Sequence, residues 1–130
     1  PISKNSKFHL NIETDVSDER LEKLYSESDI LCFPSLYEGF GMPIIEAQAK
    51  GCAVITSNIE PMISVAGDGA LLVNPENTDE IKNSIESLSQ NFDLRVKLVE
   101  KGYRNVEKYK PEMIVQKYKE LYLQILNKSL

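Results

Sequence analysis

The chain has 130 residues, of which 42% are hydrophobic and 27% are charged, and its formal net charge is −5. This length fits one domain that can bury a core, and the composition excludes disordered, collagen-like and coiled-coil chains. The acidic balance argues against a nucleic-acid-binding protein, and no run approaches the roughly 20 apolar residues that span a bilayer. The chain begins without Met or a signal-peptide core, so we expect it to be cut from a longer protein.

Strand-like and helix-like patterns alternate over the first 75 residues. Four short apolar or β-branched runs predict strands, namely Phe8–Asn11, Ile30–Phe33, Ala53–Thr56 and Ala70–Val73. Ser17 is predicted to cap a first helix, in which Leu21, Leu24 and Tyr25 recur at helical spacing. A second helix begins at Pro43 and runs to about Lys50, and Gly51 is its C-terminal stop. The loop 57–69 is predicted to contain one helical turn at Met62–Ala66.

Helical patterns follow from about residue 76 to the end of the chain. Asn77 and Glu80 resemble a capping box, a second helix is predicted over Asp93–Lys108, and Pro111 begins a third. Residues 91–130 contain nine Lys or Arg and five Asp or Glu, which favours a solvated helix face, with peripheral contact to an anionic membrane as the alternative. We expect a single domain over residues 1–130 with a helical tail.

This alternation predicts the fold class α/β, a Rossmann-like parallel sheet with helices on both faces. Ligands of such sheets bind beyond the carboxyl ends of the strands. Three turns fall at that edge, at residues 12–16, 34–42 and 57–58. A site in this chain is expected there.

Cys32 and Cys52 lie inside apolar runs, and no Cys-x-x-Cys or Cys/His cluster accompanies them. We therefore expect two buried free thiols in a reducing cytosol and no metal site. The predicted location is cytoplasmic, with the inner face of the membrane as an alternative.

The most informative segment is residues 34–47, which reads as strand end, glycine turn and helix start. Gly39 and Gly41 permit close approach of a ligand to the backbone, and the free N–H groups of a helix start favour an anion such as phosphate. Glu38 and Glu46 flank this turn, and carboxylates suit the vicinal hydroxyls of a sugar or ribose. The alternative is a simple tight turn, with Glu46 complementing the helix dipole.

Glu38 and Glu46, with seven residues between them, resemble the E-x7-E motif of retaining glycosyltransferases of the GT-B fold, group 1 family. Similarity continues through residues 16–35, 49–58 and 65–75, so it covers nearly the whole chain. The resemblance implies the C-terminal, nucleotide-sugar-binding domain of such an enzyme, N-terminally truncated. It implies no cofactor and no metal.

The resemblance also implies roles for individual residues. Glu38 would contact the transferred sugar as the catalytic residue, and Glu46 would hydrogen-bond the ribose. The backbone that would hold sugar hydroxyls and diphosphate is that of Gly39, Phe40, Gly41, Met42 and Pro43. The turn that would lie near the base of the nucleotide, called the base-side turn below, is formed by Thr14, Asp15 and Val16. Thr14 departs from the family, which usually has Gly there, and the family's phosphate-clamping Arg and Lys precede this chain.

Three functions remain open at this stage. The first is the donor-binding half of an enzyme that moves a hexose from a UDP- or GDP-sugar to a glycan or lipid-linked acceptor. In this reading, a missing N-terminal domain would hold the acceptor. This reading implies cell-surface polysaccharide synthesis and an isolated chain without activity. The second is a non-catalytic nucleotide-binding module, and the third is a structural α/β domain without a ligand.

Overall fold

The computed structural model describes residues 9–128. Its helices and strands alternate in the order α1 (Asp18–Glu27), β1 (Ile30–Phe33), α2 (Met42–Ala49), β2 (Ala53–Ser57), α3 (Met62–Ala66), β3 (Ala70–Val73), α4 (Thr78–Gln90), α5 (Phe92–Val106), a 3-10 turn (Glu107–Tyr109) and α6 (Pro111–Lys128).

The three strands form one parallel sheet in the order β1-β2-β3. Ile30 lies opposite Ala53, and Val54 lies opposite Ala70, so the carboxyl ends of all three strands meet at one edge. The predicted parallel pairing of residues 30–33 with residues 53–56 is confirmed. The loops that follow the three strands therefore lie at this edge, which is where ligands bind in sheets of this kind.

Two apolar cores lie on opposite faces of the central strand β2. Val54 packs with side chains of α2 and α3, among them Ile44 and Met62. Its neighbours Ala53 and Ile55 pack on the other face with Leu88 of α4 and Leu98 of α5, as alternation along a strand requires. Helices thus cover both faces of the sheet, which confirms the predicted fold class.

Local sequence signals account for the helix starts. Ser17, Asn77 and Asn91 each accept a hydrogen bond from a backbone N–H three residues ahead. Such caps satisfy one of the N–H groups that a helix start leaves unpaired. Asn91 caps α5, which begins at Phe92, one residue before the predicted start at Asp93. The predicted last residues of this helix, 107 and 108, belong instead to the short 3-10 turn.

The predicted first strand is wrong for the residues that the structure describes. Phe8 lies outside the described residues, and His9–Asn11 is not a strand. Leu10 is 66% exposed, so no neighbouring strand or helix buries the alternating pattern that suggested a strand. β-structure depends on such neighbours more than on local preference.

The prediction of two buried thiols is half correct. Cys52 is buried, and its thiol donates to the backbone oxygens of Tyr25 and Ser28 at 3.0 and 3.1 Å. Cys32 is exposed because β1 is an edge strand of the described sheet, with β2 as its partner on one side. Both cysteines are free. Partial desolvation raises the pKa of the Cys32 thiol, and burial, followed by the charge of Asp29, raises the pKa of the Cys52 thiol.

The last helix, α6, contacts the 3-10 turn and leaves much of its apolar side exposed. Exposed apolar side chains on this helix include Met113, Val115, Tyr122, Leu123 and Leu126. None of the helices in the described range 9–128 is long and apolar enough to cross a membrane.

Candidate functional site

The loop between β1 and α2 places its glycines at the carboxyl edge of the sheet. Gly41 directly precedes α2 and has a φ of +99°, in the region that favours glycine. A Cβ at this position would lie 3.2 Å from Cδ1 of Ile44. At Gly39 a Cβ would meet nothing within 4 Å. Gly41 is therefore required by the fold of the turn, whereas packing does not explain Gly39.

The start of α2 follows directly on the glycine loop. No side chain caps it, and Pro43 occupies its first turn. Pro lacks an N–H, and the N–H of Ile44 bonds to the Gly41 oxygen at 3.0 Å. The N–H groups left for a ligand at this end are therefore those of Met42 and of the loop before it.

Two buried hydroxyl groups fix the end of β1. Thr56 and Ser57, at the end of β2, donate to the backbone oxygens of Phe33 and Ser35 at 3.0 and 2.5 Å. Ser35 in turn donates its hydroxyl to Oε1 of Glu38 at 2.8 Å. The half-buried Glu38 carboxylate is therefore connected to the sheet through Ser35. The sequence placed residues 57–58 in a turn at the carboxyl edge, but it did not predict the contacts of Thr56 and Ser57 with the end of β1.

Glu46 lies on α2 and faces α1. Oε2 of Glu46 accepts a hydrogen bond from the hydroxyl of Tyr25 at 3.1 Å. Burial, and then the neighbouring Glu46 charge, raise the pKa of Tyr25 to about 12. The hydroxyl is therefore protonated at neutral pH and acts as a donor. Sequence analysis missed this role because Tyr25 fits the apolar stripe of α1.

A cavity of about 300 Å3 opens between α1 and α2 beside this pair. Its lining comprises Asp18, Leu21, Glu22, Tyr25, Glu46, Ala49 and Lys50. The one cation among them, Lys50, forms an ion pair with Glu22. Glu38 does not line this cavity, so the structure does not bring Glu38 and Glu46 together in one pocket.

The predicted base-side turn lies immediately before α1. Thr14 and Asp15 are exposed, Val16 is half-buried, and Asp15 has a φ of +53°. Aspartate tolerates this left-handed conformation better than most residues. The turn leads into Ser17 and Asp18, and Asp18 lines the cavity. The left-handed residue is thus Asp15 rather than Thr14, where the family usually has Gly.

A buried amide pair, also missed from sequence, supports α2 from behind. Gln48 and Asn105 are 0% and 3% exposed, and Asn105 donates to Gln48 at 2.9 Å. Gln48 donates to the oxygen of Ala66 at 3.0 Å. A glutamine among the apolar side chains of α2 was the available signal.

Over residues 9–128, no group of three or more His, Cys, Asp or Glu residues converges as metal ligands would.

A parallel sheet with helices on both faces and a glycine loop at its carboxyl edge defines a Rossmann-like α/β domain. Residues 3–105 match the family described as glycosyl transferases group 1, and the chain belongs to this family. The predicted family is thereby confirmed.

Individual relatives agree with this assignment. O-antigen chain mannosyltransferase B of Escherichia coli is 41% identical over 70 residues, which are 54% of this chain and 18% of that protein. The N,N'-diacetylbacillosaminyl-diphospho-undecaprenol alpha-1,3-N-acetylgalactosaminyltransferase of Campylobacter jejuni is 31% identical over 128 residues, or 96% of this chain and 32% of that protein. The chain spans a third or less of the length of these relatives.

The fold is also found among solved structures. Sucrose-phosphate synthase from Thermosynechococcus elongatus superposes with a TM-score of 0.74 and 28% identity, over 87% of this chain and 29% of that one. The chain thus has the fold of part of the C-terminal domain of a GT-B glycosyltransferase, as predicted. The roles of Glu38, Glu46, the glycine loop and the base-side turn stay predictions.

Proposed function

We propose that this chain is the donor-binding part of a retaining glycosyltransferase that moves a hexose from a UDP- or GDP-sugar to a glycan or lipid-linked acceptor in cell-surface polysaccharide synthesis. Family membership supports glycosyl transfer. The names of the Escherichia coli and Campylobacter jejuni relatives, an O-antigen chain enzyme and an enzyme of a diphospho-undecaprenol-linked sugar, support this kind of acceptor. The acceptor would be held by another part of a longer protein.

The observation that carries the proposal is the position of Glu46 beside the cavity between α1 and α2. One oxygen of its carboxylate is held by Tyr25, and a carboxylate can accept further hydrogen bonds from vicinal hydroxyls. A ribose in this cavity would place its base toward the turn at residues 14–16. Its diphosphate would then extend toward the start of α2.

Glu38 and the loop after it would act on the other end of the donor. When the bond between the anomeric carbon and the diphosphate breaks, positive charge develops on the sugar and negative charge on the leaving group. Glu38 would stabilise the first, and the uncapped start of α2 would stabilise the second. Attack by the acceptor hydroxyl on the same face would retain the configuration, and no cofactor or metal would take part.

Donor binding is tested by calorimetric titration. The longest natural polypeptide that contains residues 1–130 is titrated with UDP, GDP and their hexose conjugates. We expect one nucleotide to bind and Glu46→Ala to weaken its binding about ten- to hundredfold, the range of a charge-assisted contact. Glu86→Ala is the matched control, because Glu86 is an exposed carboxylate on α4, outside the cavity lining and away from the loops at the carboxyl edge.

If the longest natural polypeptide that contains residues 1–130 bound neither UDP nor GDP, the proposal would be contradicted. Binding without transfer to any acceptor by the longest natural polypeptide would favour the alternative, a non-catalytic nucleotide-binding module. We expect the 130-residue chain by itself to bind nucleotide weakly and to transfer no sugar, since the resemblance places the family's phosphate-clamping Arg and Lys before the first residue of this chain. The cytoplasmic location, with contact to the inner face of the membrane as the alternative, stays a prediction.

A further inference from the structure

The hydrogen bond between Tyr25 and Glu46 joins α1 to α2. The two residues are 21 positions apart in the chain. Tyr25 lies near the end of α1, and its backbone oxygen accepts hydrogen bonds from the Cys52 thiol at 3.0 Å and the Ser28 N–H at 3.4 Å. Its main chain is thereby tied to the start of the central strand. The phenol is half-buried, so its ring and hydroxyl occupy a defined place against α2.

The two oxygens of the Glu46 carboxylate differ in their surroundings. Oε2 accepts from Tyr25, whereas no residue in the range 9–128 donates to Oε1. Every buried side-chain nitrogen or oxygen in that range has a partner, so Oε1 must be accessible. Because Glu46 lines the cavity between α1 and α2, Oε1 is the oxygen that a ligand in the cavity can reach.

The hydrogen bond from Tyr25 to one oxygen restricts the rotation of the Glu46 carboxylate. Without it, the Glu46 side chain could turn among several rotamers, and a ligand would have to select one of them at an entropic cost. The Tyr25 hydroxyl therefore prepares Glu46 for accepting hydrogen bonds from a diol. A 2′-deoxyribose has one hydroxyl fewer and gains less from this preparation.

We propose that Tyr25 is a positioning residue that orients the Glu46 carboxylate toward the ribose hydroxyls of the donor nucleotide and so sets the preference for ribonucleotides over 2′-deoxyribonucleotides. The inference rests on the proposed function, since it requires Glu46 to contact the ribose. It adds a residue and a selectivity that the E-x7-E resemblance does not supply.

The test measures dissociation constants of UDP, GDP, 2′-deoxy-UDP and 2′-deoxy-GDP for the longest natural polypeptide that contains residues 1–130. The wild type is expected to prefer the ribonucleotide at least tenfold. Tyr25→Phe should lower this ratio about three- to tenfold by weakening ribonucleotide binding, and it should leave 2′-deoxynucleotide binding nearly unchanged, in the range expected for one hydrogen bond. Tyr118→Phe, on the exposed side of α6, is the matched control.

Glu46→Ala, alone and together with Tyr25→Phe, separates the two proposals. We expect Glu46→Ala to abolish the preference and the second substitution to add nothing, since Tyr25 acts through Glu46. If Glu46→Ala keeps the wild-type preference, the ribose role of Glu46 is wrong. If Glu46→Ala abolishes the preference but Tyr25→Phe keeps it, or weakens both nucleotides equally, only the role of Tyr25 is overturned. Should Tyr25→Phe fail to fold, Tyr25→Leu, which also lacks the hydroxyl, takes the same comparison.

Discussion

The side-chain amide of Asn105 donates a hydrogen bond to Oε1 of Gln48 at 2.9 Å, across 57 positions of the chain. Both side chains are buried, and Asn105 also donates to the Val65 oxygen at 2.8 Å. The pair connects α5 to α2, two residues beyond Glu46. It fixes the helix that carries the proposed ribose contact.

Asn105→Ala should therefore lower the stability of the protein. The substitution leaves Oε1 of Gln48 buried without a donor, and an unsatisfied buried group costs about 1–3 kcal/mol. We expect the free energy of unfolding in urea to fall by about this amount. Asn83→Ala, at an exposed position of α4, should change it by less than about 0.5 kcal/mol. Equal stability of the two variants would contradict a structural role for the amide pair.

Gly41→Ala should perturb the turn that begins α2. An alanine there must adopt a φ of +99° and meet Ile44 at 3.2 Å, and left-handed backbone costs a non-glycine residue about 1–2 kcal/mol. We expect a lower melting temperature and weaker nucleotide binding from the same variant.

Gly39→Ala separates ligand approach from backbone strain at the same loop. An added Cβ at Gly39 meets nothing within 4 Å, and Gly39 is not among the glycines with positive φ. The melting temperature of the Gly39→Ala variant should stay near the wild-type value. Its donor binding should weaken if sugar or diphosphate lies against this backbone. Unchanged donor affinity in Gly39→Ala would argue against a ligand at this position.

The two motif glutamates should differ in kinetic effect, measured with donor and acceptor on the longest natural polypeptide that contains residues 1–130. Glu46→Ala should raise the donor KM about ten- to hundredfold with less effect on kcat, because a ribose contact is made equally in the ground and transition states. Glu38→Ala should lower kcat and kcat/KM together, because charge develops at the anomeric carbon only during reaction.

Glu38→Gln is the companion variant for that comparison. It keeps the shape and one acceptor for the Ser35 hydroxyl, which lies 2.8 Å from Oε1, so the remaining loss of kcat reports the charge. If Glu38→Ala turns over normally and loses nucleotide binding, the roles of the two glutamates are reversed.

Transfer activity should persist in EDTA. The group 1 resemblance implies a metal-independent reaction, with backbone N–H groups at the start of α2 meeting the diphosphate charge. Initial rates of sugar transfer with and without EDTA should agree to within about twofold. A loss of activity that Mg²⁺ or Mn²⁺ restores would show that a metal ion carries part of this charge.

The sequence by itself determined the elements whose signals are local. Ser17 and Asn77 cap their helices as predicted, and the predicted helical turn at Met62–Ala66 is α3. The apolar run that begins at Ala53 forms the central strand, buried along its whole length. Caps, turns and hydrophobic periods depend on residues within a few positions of one another, so a single sequence contains them.

Tertiary structure alone decided which side chains meet and which strands stand at an edge. The Tyr25–Glu46 and Gln48–Asn105 hydrogen bonds join residues 21 and 57 positions apart, and no local pattern identifies Tyr25 as the partner of Glu46 or Asn105 as the partner of Gln48. The exposure of Cys32 follows from the edge position of β1. In each case the outcome depends on how separate elements pack against one another, because burial and hydrogen bonding are set by neighbours in space rather than in the chain.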